Sequence, residues 1–164
     1  MTDFEHHYAE LFDYVYRYVF ARLKDATSTD DLVSSIFLSA FEKQHQYDSE
    51  KGTWRQWITG IARNAVFHHW KTEHQHLDLE DLNLSEMLKT DHFEELRKWD
   101  QKAQFQKIMD AVSPEVRMLL VLRYEEDLKY EDIAELLKKT PAAVRKTFSR
   151  LHQQLRAQYG DFID

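Results

Sequence analysis

A chain of 164 residues has room for one domain of ordinary size or two small ones, which leaves little space for a catalytic domain beside a second unit. With three Gly, two Pro and no Cys, it offers few tight hairpin turns and excludes disulfides, thiolate zinc sites and cysteine nucleophiles. The net charge of -7 argues at first against nucleic acid as a partner. The abundance of Leu, Ala, Glu, Lys and Gln predicts an all-α fold.

Charged residues are unevenly distributed along the chain. Residues 76–100 contain 8 acidic and 3 basic side chains, so this stretch alone contributes -5 to the net charge. Between Lys138 and Arg156 there are six basic side chains and no acidic one. The acidic average therefore conceals a concentrated basic helix that is suited to a phosphate backbone.

Helical periodicity of the apolar residues predicts three helices in the first part of the chain. The first runs from residue 4 to about residue 23. A second helix is expected to begin at a cap on Ser28 or Thr29, with acidic residues in its first turn, and to end near residue 46. After a polar loop, a third helix is expected from residue 54 to about residue 70. Together these helices should form one small bundle.

The second part of the chain follows an acidic, weakly periodic stretch. Residues 74–95 are predicted to be a linker, with a short helix around residues 84–88. Ser113 and Thr140 are each followed by Pro, which predicts that they cap two of the helices beyond the linker. The helices expected there span residues 96–112, 113–124, 130–137 and 141–158. The predicted domains are therefore 1–73 and 96–164, joined by the linker.

The last two predicted helices have the layout of a helix-turn-helix motif. The outer face of the second one presents Arg145, Lys146, Ser149 and Arg150. Arg and Lys on such a helix reach phosphates and guanine edges when the helix lies in a major groove of DNA. An ordinary amphipathic hairpin with a solvated basic face is the alternative interpretation.

The residues around this motif resemble region 4 of the extracytoplasmic-function (ECF) sigma factors. Residues 113–124 read SPEVRMLLVLRY and residues 128–137 read LKYEDIAELL. Two positions depart from the family pattern, since Lys138 stands where Gly is usual and Lys129 where a capping Ser or Thr is common. The resemblance implies that the minus 35 promoter element is contacted by Thr140, Ala142, Arg145, Lys146, Ser149 and Arg150.

The first half of the chain resembles region 2 of the same family. Residues 31–41 read DLVSSIFLSAF, which is similar to the helix that docks on the clamp coiled coil of core RNA polymerase. Ser34 and Ser35 replace the usual Gln and Glu. The resemblance implies that core polymerase is bound by Asp31, Leu32, Ser35, Phe37, Leu38 and Phe41.

Residues 54–64, which read WRQWITGIARN, resemble the region 2 helix that melts the minus 10 element and holds the non-template strand. The loop at residues 48–53 is the implied base pocket, whereas Trp54 and Trp57 are expected to lie mainly in the core. His68 stands where the family usually has Asp. The resemblance implies that minus 10 DNA is contacted by Lys51, Thr53, Arg55, Arg63, Asn64, His68 and Lys71.

The chain is thus identified as similar to an ECF sigma factor, a non-enzymatic subunit that directs core RNA polymerase to promoter DNA. The resemblance implies no cofactor, metal or small-molecule substrate, and an anti-sigma factor as a further partner, which can hold such a protein at the membrane. In relatives the connector between the domains threads toward the polymerase active centre, where Asp78, Glu80 and Asp81 would mimic nucleic acid; an extended tether is the alternative. No apolar run is long enough to span a membrane, so a cytoplasmic location is expected.

Two other classes of protein are alternative interpretations of the sequence. A stand-alone helix-turn-helix transcription regulator explains the C-terminal half but leaves the first half without a role. A metal hydrolase would use the histidine-rich stretch, but the sequence has no HExxH pattern. The residues that this second alternative would use are His68, His69, Glu73, His74 and His76.

Overall fold

The computed structural model describes residues 1–82 and 101–160, and all regular structure in these two ranges is helical, which confirms the all-α prediction. The chain divides into two compact units, Met1–Glu73 and His74–Asp164. The predicted helix at residues 84–88 and the predicted start of the helix at residue 96 lie outside the described residues. Among the helices that are described, none is long and apolar enough to cross a membrane.

Three helices form the N-terminal unit: α1 (Asp3–Leu23), α2 (Ala26–Lys43) and α3 (Trp54–Glu73). A short 3₁₀ turn, Gln44–Gln46, extends α2 before the loop. Each helix turns one apolar stripe inward, and burial of these stripes stabilises the bundle by about 25 cal/mol for each Å² removed from water. The core side chains include Phe4, Leu11, Val15, Val19, Val33, Ile36, Phe37, Ala40, Ile58, Ala62, Val66 and Trp70.

The predicted start of the second helix was wrong by about one turn. Lys24 adopts a left-handed conformation (φ 53°) that ends α1, and Asp25 directly after it is the N-cap of α2. The Asp25 carboxylate accepts the Ser28 N–H at 2.8 Å, and hydrogen bonds from the Ser28 side chain and from this N–H lower the pKa of Asp25. Thr29 therefore lies inside the helix and is fully buried, and the predicted acidic residues fall in the second turn. Asp is as good a cap as Ser or Thr, so composition alone did not choose between them.

The C-terminal unit contains a short helix pair and the predicted helix-turn-helix. Ser113 and Thr140 are N-caps as predicted, since their hydroxyls accept N–H bonds from Val116 at 3.3 Å and Ala143 at 3.1 Å. The helix predicted at residues 113–124 does not continue as a single α-helix, because its last turn widens into a π-helical turn. The elements are α4 (Gln101–Ala111), α5 (Pro114–Leu120), the π-helical turn (Val121–Glu125), α6 (Tyr130–Leu137) and α7 (Pro141–Tyr159).

Arg117 is a buried cation that joins α5 to the end of α4. Its Nε donates to the carbonyl of Met109 at 2.8 Å, and its Nη2 donates to the carbonyl of Val112 at 3.1 Å. Desolvation lowers the pKa of Arg117, while the charges of Asp110 and Glu115 act in the opposite direction. The guanidinium thus satisfies carbonyls at a helix C-terminus that would otherwise be buried without donors.

Replacing Arg117 with Met should destabilise the C-terminal unit by about 3 kcal/mol, because two buried carbonyls lose their donors. Chemical denaturation followed by circular dichroism measures this change. Arg145→Met is the matched control, since Arg145 is half exposed and its loss should hardly move the unfolding midpoint. Equal midpoints for the two variants would contradict the structural role of Arg117.

Lys138 occupies the turn between α6 and α7 in the left-handed conformation, with φ 56° and ψ 45°. Its N–H bonds back to α6, and the Lys139 N–H reaches the carbonyl of Ala134 at 2.8 Å, which closes the helix C-terminus. A residue with a Cβ is strained in this conformation, and Gly is not. The position at which the family usually has Gly is therefore the position at which this backbone favours it.

Lys138→Gly should stabilise the C-terminal unit by about 1 kcal/mol, because the left-handed turn is relieved of its Cβ clash. Lys139→Gly is the control, since Lys139 is not among the positive-φ residues and Gly there should destabilise or be neutral. Thermal unfolding of both variants compares them directly. A Lys138→Gly variant less stable than the parent chain would refute the strain.

Candidate polymerase and nucleic-acid interfaces

The α2 residues predicted to bind polymerase divide into exposed and buried groups. Leu38 and Phe41 are 62% and 50% exposed, which is unusual for large apolar side chains. Asp31 is also exposed and Leu32 is half buried. Phe37, in contrast, is buried against α1 and supports this surface from beneath.

The hydroxyls of the two unusual serines on α2 are used locally. Ser35 donates to the carbonyl of Asp31 at 3.2 Å, and Ser34 donates to the carbonyl of Asp30 at 3.0 Å. Such bonds to the preceding turn are the usual arrangement for Ser within a helix. Ser35 remains exposed, but its side chain is shorter than the Glu or Gln that the family usually has there.

A row of aromatic side chains on α1 adjoins this surface, and the sequence analysis missed it. Tyr8, Phe12, Tyr16 and Phe20 follow one another at intervals of four residues, so they share one face of the helix. The rings of Tyr8 and Phe12 lie 5.1 and 5.6 Å from that of Phe37, which links the row to α2. The spacing is present in the sequence, but helical periodicity alone does not separate an exposed aromatic row from the core.

The aromatic row is partly open to solvent. Tyr8, Phe12 and Phe20 are 47%, 36% and 38% exposed. Partial burial, together with the charge of Asp30 and a hydrogen bond to it, raises the pKa of the Tyr16 hydroxyl. Together with Leu38 and Phe41 of α2, these side chains make up what we call the aromatic face of the N-terminal unit.

The loop before α3 is held in shape by short-range hydrogen bonds. The Asp48 carboxylate accepts the Glu50 N–H at 2.9 Å, and the Tyr47 hydroxyl donates to the Gly52 carbonyl at 3.0 Å. Thr53 caps α3 by accepting the Gln56 N–H at 3.2 Å, while the Gln56 side chain accepts the Thr53 N–H at 2.9 Å. This reciprocal capping box fixes the end of the loop to the first turn of α3.

This loop and α1 line an open cavity of about 750 Å³. Tyr47 and Trp54 stack beside it with ring centroids 3.6 Å apart, and the Trp54 indole N–H donates to Asp3 at 2.7 Å. Trp54 is half buried and lines the cavity, so it serves both the core and the cavity wall. Lys51, Thr53 and Arg55 of the predicted minus 10 group line the same cavity.

Arg55 is tied to α1. Its Nη2 lies 2.9 Å from the Glu10 carboxylate, and its guanidinium lies 4.8 Å from the centre of the Tyr14 ring. The other predicted minus 10 residues occupy exposed positions further along α3 and are not part of the cavity wall. Three of them share one stripe of the helix at intervals of four and three residues. The four residues are Arg63, Asn64, His68 and Lys71.

The buried face of α7 determines which side chains point outward. Val144, Phe148, Leu151 and Leu155 are almost fully buried, so the helix cannot rotate without exposing them. Of the predicted minus 35 residues, those on the outer face are exposed, and Arg150 at its edge is half buried. The exposed ones are Thr140, Ala142, Arg145, Lys146 and Ser149.

His152 lies at the inner edge of α7, where it forms a hydrogen bond with the Tyr124 hydroxyl. Burial lowers the pKa of His152, and the positive charges of Arg156 and Arg123 lower it further. The ring is therefore kept neutral and contributes to packing. It adds no charge to the basic face of α7.

Two of the outward arginines already have partners within the C-terminal unit. Arg145 forms an ion pair with Glu131 of α6, and the pKa of Glu131 is lowered by its own backbone N–H and by Arg145. The Nη1 of Arg150 lies 3.5 Å from the carbonyl oxygen of Glu80. In the described part of the chain, no group of three or more His, Asp or Glu side chains is placed to hold a metal ion.

Comparison with known proteins finds relatives for both halves of the chain. The family model of Sigma-70 region 2 matches residues 4–75, and that of Sigma-70, region 4 matches residues 102–155. The chain is 23% identical over 145 residues to the ECF RNA polymerase sigma factor SigM of Bacillus subtilis (strain 168), covering 88% of each chain. It is 24% identical over 145 residues to the RNA polymerase sigma factor HrpL of Pseudomonas syringae pv. syringae, covering 86% of this chain and 78% of HrpL.

A solved structure is also similar over nearly the whole length. The sigma factor RpoE from Bartonella quintana, crystallised with the anti-sigma factor NepR, is 17% identical, with a TM-score of 0.47. The alignment covers 96% of this chain and 97% of RpoE.

The chain belongs to the sigma-70 family. It is an RNA polymerase sigma factor of the ECF type, which binds core RNA polymerase and promoter DNA to initiate transcription. The predicted family and function are thereby confirmed. The stand-alone regulator is not favoured, because region 2 is matched as well as region 4.

Glu131→Gln should strengthen binding of the free protein to duplex DNA by about twofold to fivefold at low salt, because it releases Arg145 from its ion pair. Fluorescence anisotropy with a short labelled duplex measures the affinity. Glu135→Gln is the matched control, because it removes the same charge from an exposed position of α6 for which no such bond is described. Equal gains in both variants would reduce the effect to net charge alone.

Proposed function

We propose that the two units of this sigma factor divide promoter recognition between them, with the N-terminal unit binding core polymerase and the minus 10 element. Exposure of Leu38 and Phe41 carries the polymerase part of the proposal. Large apolar groups that remain in water on a rigid helix are typical of a protein interface. They occur within the segment that resembles the polymerase-docking helix, and Phe37 beneath them fixes their position.

The cavity beside the loop is the proposed minus 10 base pocket. Its volume of about 750 Å³ falls in the usual range of small-ligand sites, roughly 300–1,000 Å³, which supports assigning a flipped nucleotide to it. Tyr47 and Trp54 supply an aromatic wall, and stacking on such a wall contributes about 1–3 kcal/mol per base. Lys51 supplies a cation for the backbone, while Asn64, His68 and Lys71 extend the polar surface along α3.

The outer face of α7 is the proposed reader of the minus 35 element. Lys146 and Ser149 are exposed, and Arg145 and Arg150 become available when they leave their present partners. A recognition helix of this kind lies in the major groove and contacts base edges and phosphates. Thr140 also keeps its role as the helix cap, so its contact with DNA would come from the helix N-terminus.

Neither reader needs to bind tightly by itself. Core polymerase holds both units near one promoter, which raises the effective concentration of each reader for its element. This allows a chain of net charge -7 to act on DNA through one basic helix. We expect duplex binding by the free protein to be weak and to fall steeply with salt.

The chain is proposed to act without catalysis and in the cytoplasm, where core polymerase and promoter DNA are found. An anti-sigma factor is a proposed further partner. The aromatic face of α1 and α2 is its proposed target, because a protein covering Leu38 and Phe41 would block access to polymerase and bury exposed apolar area at once.

Transcription by purified bacterial core polymerase on a promoter library, with and without this protein, tests the proposal. We expect new start sites that share two spaced upstream elements. The double variant Leu38→Ser/Phe41→Ser should weaken core binding by about a hundredfold and abolish the new starts, because it removes two exposed interface anchors.

A matched variant separates binding of core polymerase from recognition of the upstream promoter element. Lys146→Ala/Ser149→Ala alters exposed residues of α7, so it should retain core binding while changing or losing dependence on the upstream element. Lys51→Ala should affect the downstream element instead. New starts that survive the α2 variant unchanged, or an α7 variant that loses core binding, would contradict the assignment of the surfaces.

A further inference from the structure

A short acidic segment lies against the helix that carries the basic face. Residues 78–82 have no helix or strand, yet Leu79 and Leu82 are only 3% and 6% exposed. Between them, the carbonyl oxygen of Glu80 lies 3.5 Å from the Nη1 of Arg150 on α7. The segment begins within the compact unit that contains α7, and Arg150 connects it to that helix.

The burial of these leucines is the informative observation. An extended tether kept in solution by like charges would expose its apolar side chains, whereas here two of them are removed from water. The shape is set locally, because the Asp78 carboxylate accepts the Glu80 N–H at 3.0 Å and the Leu77 N–H donates to the His74 carbonyl at 3.0 Å. The carboxylates of Asp78, Glu80 and Asp81 belong to exposed residues.

We propose that residues 78–82 are an internal competitor of DNA, anchored in the C-terminal unit by two buried leucines and joined to α7 by the Arg150 contact, and that they must leave before α7 binds promoter DNA. This inference rests on the proposed DNA-binding role of α7. Arg150 has a backbone carbonyl as its partner while the segment is docked, so it cannot at the same time make its full set of bonds to a phosphate or a guanine.

Electrostatics acts in the same direction. Asp78, Glu80 and Asp81 place three negative charges on a segment whose backbone contacts Arg150, and these charges repel a phosphate backbone that approaches α7 there. The docked segment and the DNA therefore exclude each other both through Arg150 and through like charge. Because docking uses apolar contacts, substitution of either leucine can weaken the docking of the segment without changing the net charge of the protein.

The absence of Cys from the chain allows a direct test of docking. A single thiol is introduced by Leu79→Cys or, as the matched control, by Asp81→Cys at an exposed position of the same segment. Labelling rates with a thiol reagent are divided by the rates measured in denaturant. In the free protein we expect Leu79→Cys to react about tenfold more slowly than Asp81→Cys. A saturating short mixed-sequence DNA duplex at low salt should bring the two rates together.

Equal rates in the free protein would overturn the docking. Protection of Leu79→Cys that persists when DNA is bound would overturn the competition. In parallel, fluorescence anisotropy of the same duplex carrying a label measures DNA binding directly. This measurement shows separately whether the protein fails to bind DNA at all. That result would overturn the proposed function of α7 together with this inference.

A second variant tests the consequence without a thiol. Leu79→Ser/Leu82→Ser should bind the same duplex about fivefold more tightly than the parent chain, because the competing segment is released while the charge is unchanged. Ala26→Ser, at an exposed position of α2 to which no binding role is assigned, should leave duplex binding unchanged. Unaltered affinity in the double variant, with circular dichroism like that of the parent chain, would also overturn the proposal.

Discussion

The buried face of α7 is the constraint on which the proposed DNA-binding surface depends. Val144, Phe148 and Leu151 have no measurable exposure, so the rotation of the helix about its axis is fixed by the core beneath it. Thr140 fixes the first turn, and Pro141 sets the backbone there for a helix. Once these are in place, Arg145 and Lys146 have only the outer face to occupy. The same burial keeps His152 neutral and away from that face.

Three arginines of the proposed DNA-binding surfaces have nearby acceptors within their own unit. Arg55 pairs with Glu10, Arg145 pairs with Glu131, and Arg150 contacts a backbone carbonyl. Exposed ion pairs of this kind contribute little to the free energy of unfolding. A gain in stability therefore does not explain why these pairs are present. Under the proposed function, each of these contacts must be exchanged when a phosphate binds. We therefore expect the free protein to have low affinity for DNA, which suits a subunit that acts when polymerase has brought it to a promoter.

Most of the helical architecture was predictable because each helix has an apolar stripe at regular spacing and two of them begin with an unambiguous Ser-Pro or Thr-Pro cap. The start of α2 was predicted wrongly because Asp25, Ser28 and Thr29 are all competent caps, and the left-handed turn at Lys24 decided among them. Periodicity also failed to separate core from surface on α1, since Phe12 lies at the margin of the buried face.

The parts that escaped prediction depend on contacts between residues distant in sequence. Nothing near Arg55 in the sequence indicates Glu10, 45 residues away, and nothing near Arg150 indicates Glu80, 70 residues away. Local pattern identifies which side chains carry charge, but tertiary packing decides which charges are available. For a protein whose net charge opposes its ligand, that availability governs affinity more directly than the number of basic residues does. Under the proposal above, the acidic segment at residues 78–82 and the basic helix α7 together determine the affinity for DNA, so the segment is more than a passive linker.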